Sequence, residues 1–344
     1  MKGIERMFRK YWSMYVCPLK AIARKLASLL ILFLLSISCS MALEGEKVYR
    51  TGLEASKGRF SVAPNGQQLV FETNRLEHGL RLLDLGSGKI TVFPEEKGRT
   101  LGSPDWSPDG KWIAVVSAVV KEGYYQLDAM EIVLLEVGSW QKRRIAVDES
   151  FKSSPFFSAD GKTVYYFKGK IRTSGKTPAS RYDLYAIDLA SGMEARLTHE
   201  EFYQAAKGDE TNAAVLFSAT PNFDKRFKDA QGKESRSALF SLDKTTGRLS
   251  HLPIDQRSGI FNFSNPLRDR AGNINFIAAK ASPSGGNYLW FLVRVNVDGT
   301  QMEMLTELPI SMRFDIAGNT GEIYVMDKEG KELIFRRLAV LAAH

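Results

Sequence analysis

The side chains best suited to acid–base or metal chemistry near neutral pH are His78, His199, His251 and His344, and no two of them stand four residues apart, as a helical zinc site requires. The carboxylates form no D-x-[DN]-x-[DN]-G calcium loop. A divalent cation held by carboxylates or carbonyls in a central channel is left open. No G-x-S-x-G elbow presents a serine nucleophile. Asp160-Gly161-Lys162-Thr163 ends like a phosphate loop, but Phe156 stands where that loop needs its first glycine. Leu85-Gly86-Ser87-Gly88-Lys89 lacks the hydroxyl residue after its lysine, so both segments read as turns. Cys17 and Cys39 are the only cysteines, and everything after residue 39 therefore lacks disulfides, a thiol nucleophile and cysteine-ligated zinc. These observations assign no catalytic residue, no cofactor and no metal ligand.

Basic and aromatic side chains offer a different chemistry, that of recognition. The segment KGKIRTSGKTPASRY carries Lys168, Lys170, Arg172, Lys176 and Arg181 without an acid. TPNFDKRFKDAQGKESRS carries Lys225, Arg226, Lys228, Lys233 and Arg236 against Asp224, Asp229 and Glu234. VVKEGYYQLDA adds Tyr124 and Tyr125, a residue type enriched in recognition surfaces. Long polar loops on a rigid scaffold concentrate function, and basic clusters steer anionic partners. The structural alternative is a set of solvated loops with incidental charge, which His199-Glu200-Glu201 would dilute further.

The elements that must position these residues come from an internal repeat. RFSVAPNGQQLVFETNR, SPDWSPDGKWIAVVSA and SPFFSADGKTVYYFKG each read as strand, tight turn and strand, with turns centred on Asn65-Gly66, Asp109-Gly110 and Asp160-Gly161. A second hairpin follows each: LRLLDLGSGKITVF, MEIVLLEVGSWQKRRI and DLYAIDLASGMEARLT. Four strands per unit at a period in the high forties is a propeller blade. The pattern continues, weakened, through NAAVLFSA with SALFSLDKTTGRLSHL, NPLRDRAGNINFIAAK with YLWFLVRVNVDGTQMEMLT, and SMRFDIAGNTGEIYVMDKEGKELIFRRL. The last unit supplies about three strands, so residues around Glu46–Thr51 are expected to complete it. Trp106 and Trp112 are expected to fill space between blades. Asp105, Asp109 and Asp160 read as side chains that lock turns through nearby backbone N–H groups.

SPDWSPDGKWIAVVSA resembles the repeat of TolB-type (WD40-like) propellers, also found in the propeller halves of prolyl-oligopeptidase-like proteases. SPFFSADGKTVYYF is a second match, with Phe157 where the family prefers Trp, and SVAPNG departs further, with Val62 and Ala63. The resemblance implies an all-β fold, a six-bladed propeller of four-stranded blades over 59–340, and the strand missing from the last unit places a lead-in and closure strand at 43–58. It also implies a non-catalytic scaffold that binds a protein or another envelope component, like the propeller part of Tol-type envelope systems. In such a fold the loops between second and third strands share one face, which is the candidate partner face. The alternative is a propeller enzyme acting on polysaccharide, a lyase or glycosidase with residues gathered at the central channel.

Residues 1–42 hold Lys2, Arg6, Arg9, Lys10, Lys20, Arg24 and Lys25 against Glu5, so +6 of the net charge of +8 lies there and +2 remains for the rest. A nearly neutral main body argues against nucleic acid as partner. The apolar run ASLLILFLLSISCSMA follows the basic stretch, an order that predicts a secretory signal cleaved after Ala42 or an N-terminal anchor, and a periplasmic or otherwise exported body. Ser36-Ile37-Ser38-Cys39 resembles a lipoprotein box with Ser in place of its Leu, so membrane contact would come through this segment or a lipidated Cys39. The sequence carries no signature of oligomeric state.

Overall fold

The computed structural model describes residues 46–55, 58–73, 79–94, 96–172, 179–221, 237–254, 259–282, 288–296, 301–308 and 313–338. Its strands, in chain order, open with β1 (Lys47–Glu54). Blade 1 is β2 (Phe60–Val62), β3 (Gln68–Glu72), β4 (Leu80–Asp84) and β5 (Ile90–Val92). Blade 2 is β6 (Arg99–Trp106), β7 (Trp112–Lys121), β8 (Tyr124–Glu136) and β9 (Lys142–Ala146). Blade 3 is β10 (Phe151–Phe157), β11 (Thr163–Arg172), β12 (Ala179–Asp188) and β13 (Glu194–Arg196). Blade 4 is β14 (Gln204–Glu210), β15 (Ala214–Thr220), β16 (Ala238–Asp243) and β17 (Leu249–His251). Blade 5 is β18 (Ile260–Arg268), β19 (Ile274–Ala281), β20 (Tyr288–Val295) and β21 (Met302–Leu308). Blade 6 is β22 (Arg313–Ile316), β23 (Ile323–Glu329), β24 (Glu332–Leu338) and, outermost, β1.

Every blade is a four-stranded antiparallel sheet, and the six form a propeller ring. The turns follow from their residues. Gly66, Gly110 and Gly161 adopt positive φ of 68°, 71° and 70°, and the Asn65, Asp109 and Asp160 side chains accept the N–H groups of Gln67, Lys111 and Lys162 at 3.0, 3.1 and 3.0 Å. A second recurrent turn joins third and fourth strands: Asp84, Asp188 and Asp243 accept the N–H and hydroxyl of Ser87, Ser191 and Thr246 at 2.7–2.9 Å. The segment Leu85–Lys89 is thus a hairpin turn.

Both faces of each inner strand are buried, because a blade is sandwiched between two others. Along β7, Ile113 and Val115 pack into a cluster with Val70, Leu80 and Leu82 of blade 1, while Ala114 and Val116 pack with Phe157, Val164 and Tyr166 of blade 3. The alternation of side chains along a strand therefore feeds two cores rather than one core and solvent. Trp106 fills the gap between blades 1 and 2 and donates its Nε1–H to Ser61 O at 3.2 Å; Trp112 packs partly buried between blades 2 and 3.

The ring closes through β1, which pairs antiparallel with β24 from Lys47 opposite Arg337 to Glu54 opposite Glu332. Tyr49 is buried against Tyr324, Leu333 and Phe335, and Thr51 Oγ1 donates to Leu333 O at 2.6 Å.

Candidate functional site

The first strands of all six blades line a central channel, and corresponding residues form two rings. The inner ring is Ser61, Asp105, Phe156, Asp209, Leu267 and Asp315, each one residue before the last turn-proximal pair of its hairpin. Aspartate recurs in alternate blades, 2, 4 and 6. Each carboxylate accepts an N–H from the next blade: Asp105 from Phe157 at 2.9 Å, Asp209 from Arg268 at 2.6 Å, and Asp315 from Val62 at 2.7 Å. These bonds tie blade 2 to 3, 4 to 5 and 6 to 1. Asp105 is therefore a tie between blades, in contrast to Asp109 and Asp160, which lock their own turns. Its type and its place in SPDW could not distinguish these roles, because its partners lie in other repeats.

The second ring stands two residues earlier in each strand: Arg59, Ser103, Ser154, Lys207, Asn265 and Arg313. Lys207 leans from it toward the aspartates, with Nζ 2.5 Å from Asp105 Oδ1 and 3.4 Å from Asp315 Oδ1. Burial alone would lower this ammonium, but the two carboxylates outweigh it and hold Lys207 above the ordinary lysine range. Burial pushes the Asp105 carboxyl up against the pull of Lys207 and the Phe157 N–H, and it pushes Asp209 up against the Arg268 and Glu210 N–H groups.

Lys207 lies at the junction of two cavities. One, about 440 Å³, opens among the hairpin turns and is lined by Pro64, Asp105, Pro108, Asp209, Arg270 and Asp315 with other turn residues. The other, about 50 Å³, is lined by the Arg59 to Arg313 ring. Among the described residues, no group of three or more His, Cys, Asp or Glu side chains is arranged to hold a metal ion.

The described connections between second and third strands, Glu122–Gly123 and Gly330–Lys331, lie at the strand ends away from these turns. Here the structure redraws the segments read as loops. Strand β11 runs through Lys168, Lys170 and Arg172, and Arg181 lies within β12, opposite Lys170. Lys168 is committed to Asp148 at 3.0 Å and Glu194 at 2.6 Å, with its Nζ 5.0 Å from the Tyr185 ring centroid. Arg181 pairs with Glu201. Lys170 is exposed. Lys176, Lys225, Arg226, Lys228 and the Arg172 side chain lie outside the described residues. The segment around Tyr124 and Tyr125 is a hairpin rather than a long loop: Glu122 and Gly123, with φ of 51° and 80°, form a two-residue turn between β7 and β8. Tyr124 is 75% exposed at its tip, and Tyr125 and Leu127 are exposed beside it. His199 is exposed on a connection, and His251 rests on the Phe240 ring at 4.5 Å between centroids.

No protein-family model and no curated protein matches this sequence. The solved structures share its fold. TolB from Acinetobacter baumannii superimposes with a TM-score of 0.54 at 17% identity, over 83% of this chain and 65% of that one. A putative TolB from Agrobacterium tumefaciens gives 0.56 at 17% identity, over 86% of this chain and 98% of that one. The β-propeller domain of the Trilobed protease from Pyrococcus furiosus, described as having an open velcro topology, gives 0.50 at 12% identity, over 82% of this chain and 78% of that one. The fold is therefore that of the TolB-type six-bladed propellers, and its ring, unlike one with an open velcro, is joined by β1 and β24.

Proposed function

We propose that this chain is an exported, non-catalytic propeller scaffold that binds a protein segment of the cell envelope, like the propeller part of Tol-type systems. Residues 1–42 serve as the signal or anchor in this reading. The observation that carries it is the engagement of the channel aspartates: Asp105, Asp209 and Asp315 each accept a backbone N–H from a neighbouring blade, and Lys207 closes over two of them. A general acid or base needs a carboxyl that can meet substrate, and these are committed to holding blades together.

Binding falls to the face opposite the hairpin turns. Tyr124, Tyr125 and Leu127 offer a projecting apolar and aromatic surface beside the exposed Lys121. The pairing of Lys168 and Arg181 with acids makes this surface less basic than its sequence, so contact area at the tyrosines counts for more than charge steering.

The test is crosslinking capture from envelope extract by the full chain and by Tyr124→Ser, with the captured protein identified and then titrated as a purified partner. One dominant protein whose affinity falls tenfold or more in the variant supports the scaffold. Equal affinity for parent and variant moves the docking site elsewhere. The second reading, a polysaccharide-cleaving enzyme, rests on the raised Asp105 and Asp209 carboxyls beside the 440 Å³ cavity. Release of unsaturated or reducing sugar ends by the parent, lost in Asp209→Asn, would establish it in place of the scaffold.

A further inference from the structure

The smaller channel cavity is lined by three cations, Arg59, Lys207 and Arg313, with Ser103, Ser154 and Asn265, and by no acid. Lys207 is matched by Asp105 and Asp315. The two arginines are not matched in the same way. Arg59 donates through Nη1 to Ser154 Oγ at 2.6 Å, a neutral acceptor from blade 3. The nearby carboxylate is that of Glu72, whose Oε2 accepts the Arg59 N–H at 3.0 Å and whose Oε1 accepts the Ser103 N–H. Arg313 Nε is buried with no hydrogen-bond partner among the described residues. Burial, reinforced by repulsion from Arg59 and eased by Glu72, lowers the Arg313 guanidinium to about 10, so it stays charged at neutral pH. A largely buried guanidinium whose Nε lacks an acceptor is costly unless something else supplies one.

We infer that this cavity is a binding site for a single carboxylate group, held between Arg313 and Arg59 with the serine hydroxyls completing its shell. Charge selects the class. The two guanidinium groups share one nearby carboxylate, Glu72, while Lys207 is already matched by Asp105 and Asp315, so a monoanion suits the arginines better than a phosphate dianion. Shape agrees with charge, because the planar fork of a guanidinium matches two carboxylate oxygens. Volume agrees as well: about 50 Å³ holds a few waters at roughly 10–15 Å³ each, and therefore one carboxylate head. The carboxylate belongs either to a small free acid or to an acidic residue inserted from a bound segment. The site stands independently of the tyrosine docking surface.

The experiment compares melting of the full chain in sodium acetate and in sodium chloride at matched ionic strength, for the parent, Arg313→Met and Arg59→Met. The parent should melt about 2 °C or more higher in acetate. Arg313→Met should lose that response while melting in chloride no lower than the parent, because it removes a largely buried cation whose Nε lacks an acceptor. Arg59→Met should lose the acetate response too. Equal melting of the parent in acetate and chloride overturns the site, as does an acetate response that survives in both variants. N-acetyl-aspartate amide, used as a third probe, separates the sources: tenfold greater potency than acetate assigns the carboxylate to an inserted segment, and equal potency assigns it to a free acid.

Discussion

Lys207 Nζ approaches Asp105 Oδ1 to 2.5 Å, joining blade 4 to blade 2 across the channel. The same ammonium lies 3.4 Å from Asp315 of blade 6, so three alternate blades meet at one partly buried cation. Removing it leaves two buried carboxylates without their counter-charge. Lys207→Met is expected to cost about 3–5 kcal/mol in urea denaturation, and adding Asp105→Asn and Asp315→Asn should recover part of that loss. A Lys207→Met protein as stable as the parent would show that the contact does not hold the ring.

Ring closure depends on β1. Tyr49→Ala, which empties a buried aromatic site against Tyr324 and Phe335, is expected to cost about 3 kcal/mol. Deleting residues 43–54 should also uncover the β24 edge and raise light scattering of the purified chain. Unchanged melting and scattering after the deletion would show that blade 6 is complete with three strands.

Gly208 sits in the β14 bulge where the chain passes Lys207 to the channel, and a Cβ there would fall 1.8 Å from Leu216 O. No side-chain rotation relieves a clash with backbone. Gly208→Ala should lose about 3 kcal/mol or more, measured against Gly88→Ala. Gly88 has open space around it and only the strain of a positive φ to bear.

Acid sensitivity should centre on Asp148, which bonds Lys152 at 2.9 Å and Lys168 at 3.0 Å. Burial opposes its ionisation, but the two lysines outweigh it and hold its carboxyl at about 2, below the ordinary 3.8. A folded-state value below the unfolded one stabilises above the unfolded value, and that stabilisation is lost as pH falls through the interval. Urea midpoints should therefore drop between about pH 4 and 2, and Asp148→Asn should flatten the decline. An identical slope in both proteins would assign the acid response to other carboxylates.

The propeller was legible because its turns are local. Asn65-Gly66, Asp109-Gly110 and Asp160-Gly161 close hairpins with residues two or three apart, and the spacing of the copies sets the blade. The third-to-fourth-strand turn was legible in principle too, since Asp84, Asp188 and Asp243 are each followed three residues later by Ser or Thr and then Gly. The channel rings were not. In the first three copies the ring positions can be aligned as Arg59, Ser103 and Ser154. The later copies lack the Asp-Gly marker that would set their register, so Lys207 and Arg313 look like ordinary strand cations. Conversely, the run around Lys168 read as an open basic loop because Asp148, Glu194 and Glu201, which neutralise Lys168 and Arg181, lie outside it.

What the sequence determined by itself was the six-bladed architecture, since β-branched and aromatic runs, positive-φ turn residues and a repeat length act within each unit. Which charges meet was decided only by the tertiary structure. Asp105 finds Phe157 in blade 3 and Lys207 in blade 4, and Arg59 finds Arg313 across the closing seam. Those meetings exist because the ring brings first strands from every blade to one axis. Electrostatic energy depends on that separation in space, and distance along the chain carries no information about it.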